Sequence, residues 1–171
     1  MKKVVKFGGS SLASAEQFQK VGEIIRADES RVYVVPSAPG KRFSDDTKVT
    51  DMLLHAYDLA SQGKDIAEQM AAIKARYMEI IEGLHLENFS LDEDFAIIEE
   101  QLRNDPQKDY TASRGEYLNG KIVAKLLGFA FIDAADVIFF DESGKYDAKR
   151  TIPILRERLS YTEYAVIPGF Y

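Results

Sequence analysis

Apolar residues near the start of the chain alternate between two rhythms. Lys3 to Phe7 is a short β-rich run that stops at Gly8-Gly9, and Arg31 to Val35 is a second. Both read as strands closed by turns. Between them Phe18, Val21 and Ile25 recur at spacings of three and four, which predicts a helix from near Ser14 to near Asp28. Ser14-Ala15-Glu16-Gln17 has the spacing of a capping box at its start. Strand, helix and strand in this order predict two parallel strands.

From Val49 the pattern turns helical and stays so. Val49, Leu53, Ala56 and Ala60 share one face, and Gly63 is the stop signal. Ile66, Met70, Ile73, Tyr77, Ile80 and Leu84 form the next stripe. Ser90-Leu91-Asp92-Glu93 is a second capping-box spacing, ahead of Phe95, Ile98 and Leu102. Tyr110 to Leu127 reads as one more helix, closed by Gly128. Short apolar β runs then return at Phe129 to Asp133 and Val137 to Phe140, and Asp141-Glu142-Ser143-Gly144 predicts a turn. Thr151 to Leu159 predicts a short helix with Pro153 in its first turn, and Glu163 to Ile167 a final strand broken by Pro168-Gly169. The predicted class is α/β, with a helical excursion over about 49–127 between the second and third strands.

The 171 residues suit one domain or one large lobe, and 46% hydrophobic residues suffice for a core. A net charge of −6 argues against a nucleic-acid partner, which needs a basic surface. With no cysteine, disulfides and thiolate chemistry are excluded. MKKVVKF is too briefly apolar for a signal peptide, and no stretch approaches the roughly 20 apolar residues of a membrane span. A cytoplasmic protein without a membrane partner is expected. His55 and His85 lie far apart with no ligand cluster nearby, so no protein-held metal is expected. Asp45-Asp46 and Asp92-Glu93-Asp94 read as a solvated loop and an acidic helix start.

Candidate chemistry concentrates at Lys6-Phe7-Gly8-Gly9-Ser10-Ser11, between the first strand and the first helix. Glycines let backbone amides approach a phosphate, and a following helix aims its positive end there. A lysine at the strand end adds a mobile charge suited to a transferring phosphoryl group. Taken alone, the segment reads equally well as a glycine turn with ordinary serine caps. Known alternatives fail on spacing. Gly40-Lys41 and Gly120-Lys121 lack the Ser or Thr of a P-loop, and no G-x-G-x-x-G occurs.

KFGGSS after the first strand resembles the signature of aspartate kinases, in the amino acid kinase superfamily. Ser37-Ala38-Pro39-Gly40 is similar to the Ser-Ala-x-Gly loop of that family, and Val49-Thr50-Asp51-Met52-Leu53 to the start of its next helix. Ser113-Arg114-Gly115-Glu116 is similar to its Ser-x-Gly-Glu motif, and Gly169-Phe170 to its Gly-Phe pair. Pro36 departs from the aliphatic residue usual before the Ser-Ala-x-Gly loop. The resemblance implies a three-layer α/β/α fold with the mostly parallel sheet of the carbamate kinase-like type. It implies phosphorylation of the side-chain carboxylate of L-aspartate by MgATP, the first step towards lysine, threonine and methionine. Lys6 would be the catalytic charge on the transferring phosphate, and Gly8, Gly9 and Ser10 would cradle ATP phosphates. Ser37 and Thr50 would bond the aspartate, Glu116 its ammonium group, and Phe170 would line the pocket. Mg2+ would arrive with the nucleotide. Read without the resemblance, Glu116 is a solvated helix glutamate, Ser37 a turn residue, Thr50 a cap and Phe170 core.

The family's catalytic domains continue beyond the Gly-Phe pair, with further phosphate and substrate groups, most of the adenine and ribose pocket, and ACT domains. The expectation is therefore a truncated N-terminal lobe over residues 1–171 that binds ATP weakly and does not turn over aspartate alone. Other amino acid kinases, acting on glutamate, acetylglutamate or uridylate, and a non-catalytic phosphate-binding module are the alternatives. The oligomeric state, a homo-oligomer included, stays open.

Overall fold

The computed structural model describes residues 1–170. Strands β1 (Lys3–Phe7), β2 (Arg31–Pro36), β3 (Ala130–Phe131) and β4 (Ala165–Val166) form one sheet in the order β1-β2-β4-β3. Every pairing is parallel. The first crossover is α1 (Ala15–Arg26). The excursion between β2 and β3 comprises α2 (Val49–Ser61), α3 (Ala67–Gly83), α4 (Asp92–Asn104) and α5 (Lys108–Leu127). The short α6 (Ala134–Val137) and α7 (Ala148–Ser160) lead from β3 to β4.

Strand alternation divides the apolar residues into two layers. Val34 and Val166 are fully buried on one face, with Val5 and Phe7 packed beside them. That face meets the apolar stripes of α1 to α5, including Phe18, Leu53, Ile73, Tyr77, Ile98, Leu118 and Ile122. Tyr33, Ala165 and Ile167 pack on the other face against Ile132, just after β3, and against Val137, Ile154, Leu155 and Leu159 of the helices α6 and α7. The result is the three-layer α/β/α arrangement. The helical stripes read from the sequence coincide with the buried residues because a spacing of three and four keeps one side of a helix against its neighbour.

Three local expectations are corrected. Val137 to Phe140 is not a sheet strand: Asp133 accepts a hydrogen bond from the Ala135 amide at 3.1 Å and starts α6 there instead. Phe140 then bridges antiparallel to Tyr146 around the Asp141–Gly144 turn. Pro153 lies beyond the first turn of α7, because Asp147 caps that helix through the Arg150 amide at 3.0 Å and starts it before Thr151. Neither capping box forms. Ser14 is the cap residue of α1 without a side-chain bond. The Ser90 hydroxyl takes the Asp92 amide at 3.0 Å, and Leu91 holds the cap position of α4.

The acidic pairs are also not simply solvated. Asp94 is buried and accepts from Lys121 at 2.7 Å and from the Tyr117 hydroxyl at 3.0 Å, fastening α4 to α5. The Asp46 side chain is only 9% exposed and lies between Arg42 and Arg76.

Candidate functional site

The C-terminal ends of β1 and β2 lie side by side, with Phe7 in register with Pro36. The Ser37 amide extends this ladder by one bond, donating to the Phe7 carbonyl at 3.0 Å. Pro36 cannot donate, yet the pairing passes over it to Ser37. Both strands therefore release their loops at one edge of the sheet, the place where open α/β sheets bind ligands. The loop after β1 turns through a short 3-10 turn over Gly9–Leu12. The loop after β2 runs through Ser37-Ala38-Pro39-Gly40.

These two loops touch through glycines. The Gly40 amide donates to the Gly9 carbonyl at 2.8 Å. A Cβ on Gly40 would stand 2.6 Å from the Gly9 carbonyl carbon, and one on Gly9 2.8 Å from the Ala38 oxygen. Only bare backbone fits on both sides. The Gly9 and Ser10 amides open the 3-10 turn, where no earlier carbonyl of the turn can take them, and no acceptor outside the turn does so among the described residues.

A third element brings a carboxylate to the same place. At Gly115 of α5 a Cβ would meet Ala38 Cβ at 2.7 Å, so glycine lets the helix pack directly on the β2 loop. Tyr77 of α3, fully buried, donates its hydroxyl to the Gly115 carbonyl at 2.8 Å. Burial, and then the charge of Glu116, push that phenol far above its ordinary pKa, so it stays a donor. One turn further on, buried Asn119 donates its Nδ2 to the Ser37 carbonyl at 2.6 Å. Glu116 sits between these anchors.

The resulting cleft has a volume of about 410 Å³ and is lined by Gly9, Ser10, Ser37, Thr50 and Glu116, with Lys41 and Lys48 at its rim. Glu116 supplies its one carboxylate. One carboxylate oxygen, Oε2, is buried without a hydrogen-bond partner. Burial raises the pKa of the group above the ordinary glutamate value, while the amides of Ala38 and Glu116 itself and the charge of Lys6 pull it partly back. The arrangement suits a cation brought by a ligand: an ammonium group would supply the missing donor and the missing positive charge together.

Of the eight residues singled out from the sequence, these five line one cleft. Lys6 is exposed at the end of β1, and its charge is felt by Glu116. Gly8 is exposed with open space where a side chain would stand. Phe170 is 42% exposed and outside the cleft lining, although the preceding Gly169 packs against Val35 and the Pro36 carbonyl. Sequence reasoning missed Asn119, Tyr77, Arg76 and Asp46. Asn119 had a signal, since it follows Glu116 by one helical turn and a buried asparagine needs partners. The other three had none, because nothing local links them to loops far away in the chain.

The model of the amino acid kinase family matches residues 1–171. Aspartokinase 3 of Bacillus subtilis (strain 168) is 37% identical across 99% of this chain and 40% of its own length. The solved aspartate kinase of Clostridium acetobutylicum is 45% identical, with a TM-score of 0.95 over all of this chain and 40% of that one. Aspartokinase III of E. coli, solved with aspartate and ADP, shares the fold at a TM-score of 0.75 and 19% identity, over 99% of this chain and 40% of its own. The chain thus spans about 40% of the length of these relatives. Matched by the family model from its first residue to its last, this chain belongs to the amino acid kinase family.

Proposed function

We propose that the chain is the N-terminal part of an aspartate kinase catalytic domain, serving transfer of the γ-phosphoryl group of MgATP to the side-chain carboxylate of L-aspartate. The observation that carries this reading is the buried, half-satisfied carboxylate of Glu116, in a cleft that Ser37 and Thr50 also line. An amino acid offers the ammonium that such a carboxylate lacks. The similarity to aspartate kinases at 37% and 45% identity supports aspartate as that amino acid.

The chemistry asks little covalent work of the protein. A carboxylate is ionised and nucleophilic near neutral pH, so no general base is required. One of its oxygens attacks the γ-phosphorus, the bond to the bridging oxygen of ADP breaks, and the charge spreads over the equatorial oxygens. Positioning and charge neutralisation do the rest. Lys6 would face the moving phosphoryl group, and the Gly8, Gly9 and Ser10 backbone would hold the donor's phosphates. Thr50 and Ser37 would orient the acceptor, and Phe170, a few residues beyond β4, would line the substrate pocket. Magnesium would arrive with the nucleotide, as part of the substrate.

The test is acyl phosphate formation, trapped as aspartyl hydroxamate, by this sequence extended to the length of its relatives. Lys6→Ala should remain folded and lose roughly a hundredfold or more of the turnover, the scale of a removed charge-stabilising group. Undiminished activity in Lys6→Ala would remove the lysine from the mechanism. A preference for glutamate, acetylglutamate or uridylate over aspartate in a substrate panel would replace the substrate.

A further inference from the structure

Behind the cleft, α3 reaches both loops through one side chain. Arg76 is 5% exposed. Its Nη1 donates to Asp46 Oδ2 at 2.5 Å and its Nη2 to the Gly40 carbonyl at 3.0 Å. Asp46 is gripped from the other side by Arg42, whose Nε and Nη2 reach the two carboxylate oxygens at 2.9 and 3.0 Å, and whose amide donates at 2.9 Å. Arg42 also reaches Glu79 of α3 at 2.6 Å. The segment between Gly40 and α2 is thereby tied to α3 at two points. Gly40, held by Arg76, is in turn the residue whose backbone abuts Gly9 with no room to spare.

The energetics argue that this arrangement serves geometry. A buried guanidinium loses its hydration, and here the Nε of Arg76 finds no acceptor. An apolar side chain of similar volume would remove that cost. The arginine supplies something an apolar residue cannot: two directed bonds that fix an aspartate and a backbone carbonyl relative to a helix.

We propose that Arg76 and Asp46 form a latch that sets the 8–10 turn against the 37–40 loop, so that Arg76 is a positioning residue acting through Gly40 on Gly9. For its ligands alone, the idea rests on the reading given above: the turn would hold the phosphoryl donor and the loop the acceptor, so the latch fixes the distance between the reacting partners. Small errors in that distance cost phosphoryl transfer heavily.

Amide spectra of the isotope-labelled 171-residue chain test it. The variants are Asp46→Asn, Arg42→Ala, Arg76→Lys and Arg76→Met, with Lys74→Ala, which removes only the ion pair of half-buried Lys74 of α3 with Asp92, as control. The Gly9, Ser10 and Gly40 signals should move in Asp46→Asn, in Arg42→Ala and in both Arg76 variants. The shift should be smaller for Arg76→Lys, which keeps one of the two bonds, than for Arg76→Met. Lys74→Ala should leave these signals in place. Gly9 and Ser10 signals that coincide with wild type in Asp46→Asn and Arg42→Ala would overturn the latch. Should the Arg76 variants fail to fold, the Asp46 and Arg42 substitutions still decide it. Titration with L-aspartate and with MgADP is then read separately. Weaker binding in Asp46→Asn supports the link to function. A wild-type chain binding neither ligand counts against the proposed function, while the amide positions still judge the latch.

Discussion

At the scale of single residues, the cleft depends on side chains that are missing as much as on those present. Gly9 and Gly40 approach so closely that a methyl group on either would strike backbone of the other loop. Backbone cannot rotate aside as a flexible side chain can. Gly40→Ala should therefore force the loops apart and destabilise the chain by about 1–3 kcal/mol, the usual cost of overpacking, readable as a lower denaturant midpoint. An unchanged midpoint would mean that the loops are not in the contact described. The same position shows how far the sequence could be read. KFGGSS announced a glycine turn with a lysine beside it, and the turn is there. That the second glycine of the turn faces Gly40 was hidden, because the contact joins two loops through tertiary packing and leaves no local spacing. Periodicity alone made Glu116 a solvated helix glutamate, and only the Ser-x-Gly-Glu resemblance gave it a role; Gly115 and Tyr77 are what set it against the Ala38 loop.

At the scale of elements, periodicity and the glycine stops were reliable guides, with Gly128 closing α5 in the left-handed conformation, and the serine start signals were not. The stripes of α2 to α5 were legible because burial on one side demands a repeat of three and four. The capping boxes failed at Ser14 and Ser90 because a serine three residues before glutamine or glutamate is permitted, not compelled, to make the bonds. Val137 to Phe140 has the composition of a strand, but the carboxylate of Asp133 wins locally and starts a helix. Helix α7 carries the plainest tension. With its start set by Asp147, Pro153 stands inside the helix and can donate no bond to the Lys149 carbonyl. Pro153→Ala should stabilise the chain by about 1 kcal/mol or more, seen as a raised unfolding midpoint. A loss of stability would show that the proline ring's packing outweighs its backbone cost.

At the scale of the whole molecule, a parallel sheet delivers two loops to one edge, and a helical excursion folds back to bring a carboxylate to them. The α/β class and the place of the excursion were readable from order alone, since strand–helix–strand units admit few arrangements. The sheet order was not, because β4 enters between β2 and β3 only once α6 and α7 cover the second face. The site follows from this topology. The Glu116 carboxyl is held above its ordinary pKa by burial. The folded group thus binds its proton more tightly than the unfolded one, so its contribution to stability is present in acid and lost as pH rises through the folded midpoint. A ligand ammonium beside it would favour the ionised form and draw that midpoint down again.

The most direct measurement is a carbon NMR pH titration of the Glu116 side-chain carboxyl, without and with L-aspartate. The expected result is a midpoint above the ordinary glutamate value in the free chain, falling when aspartate is added. A midpoint at the ordinary value, unmoved by saturating aspartate, would contradict it.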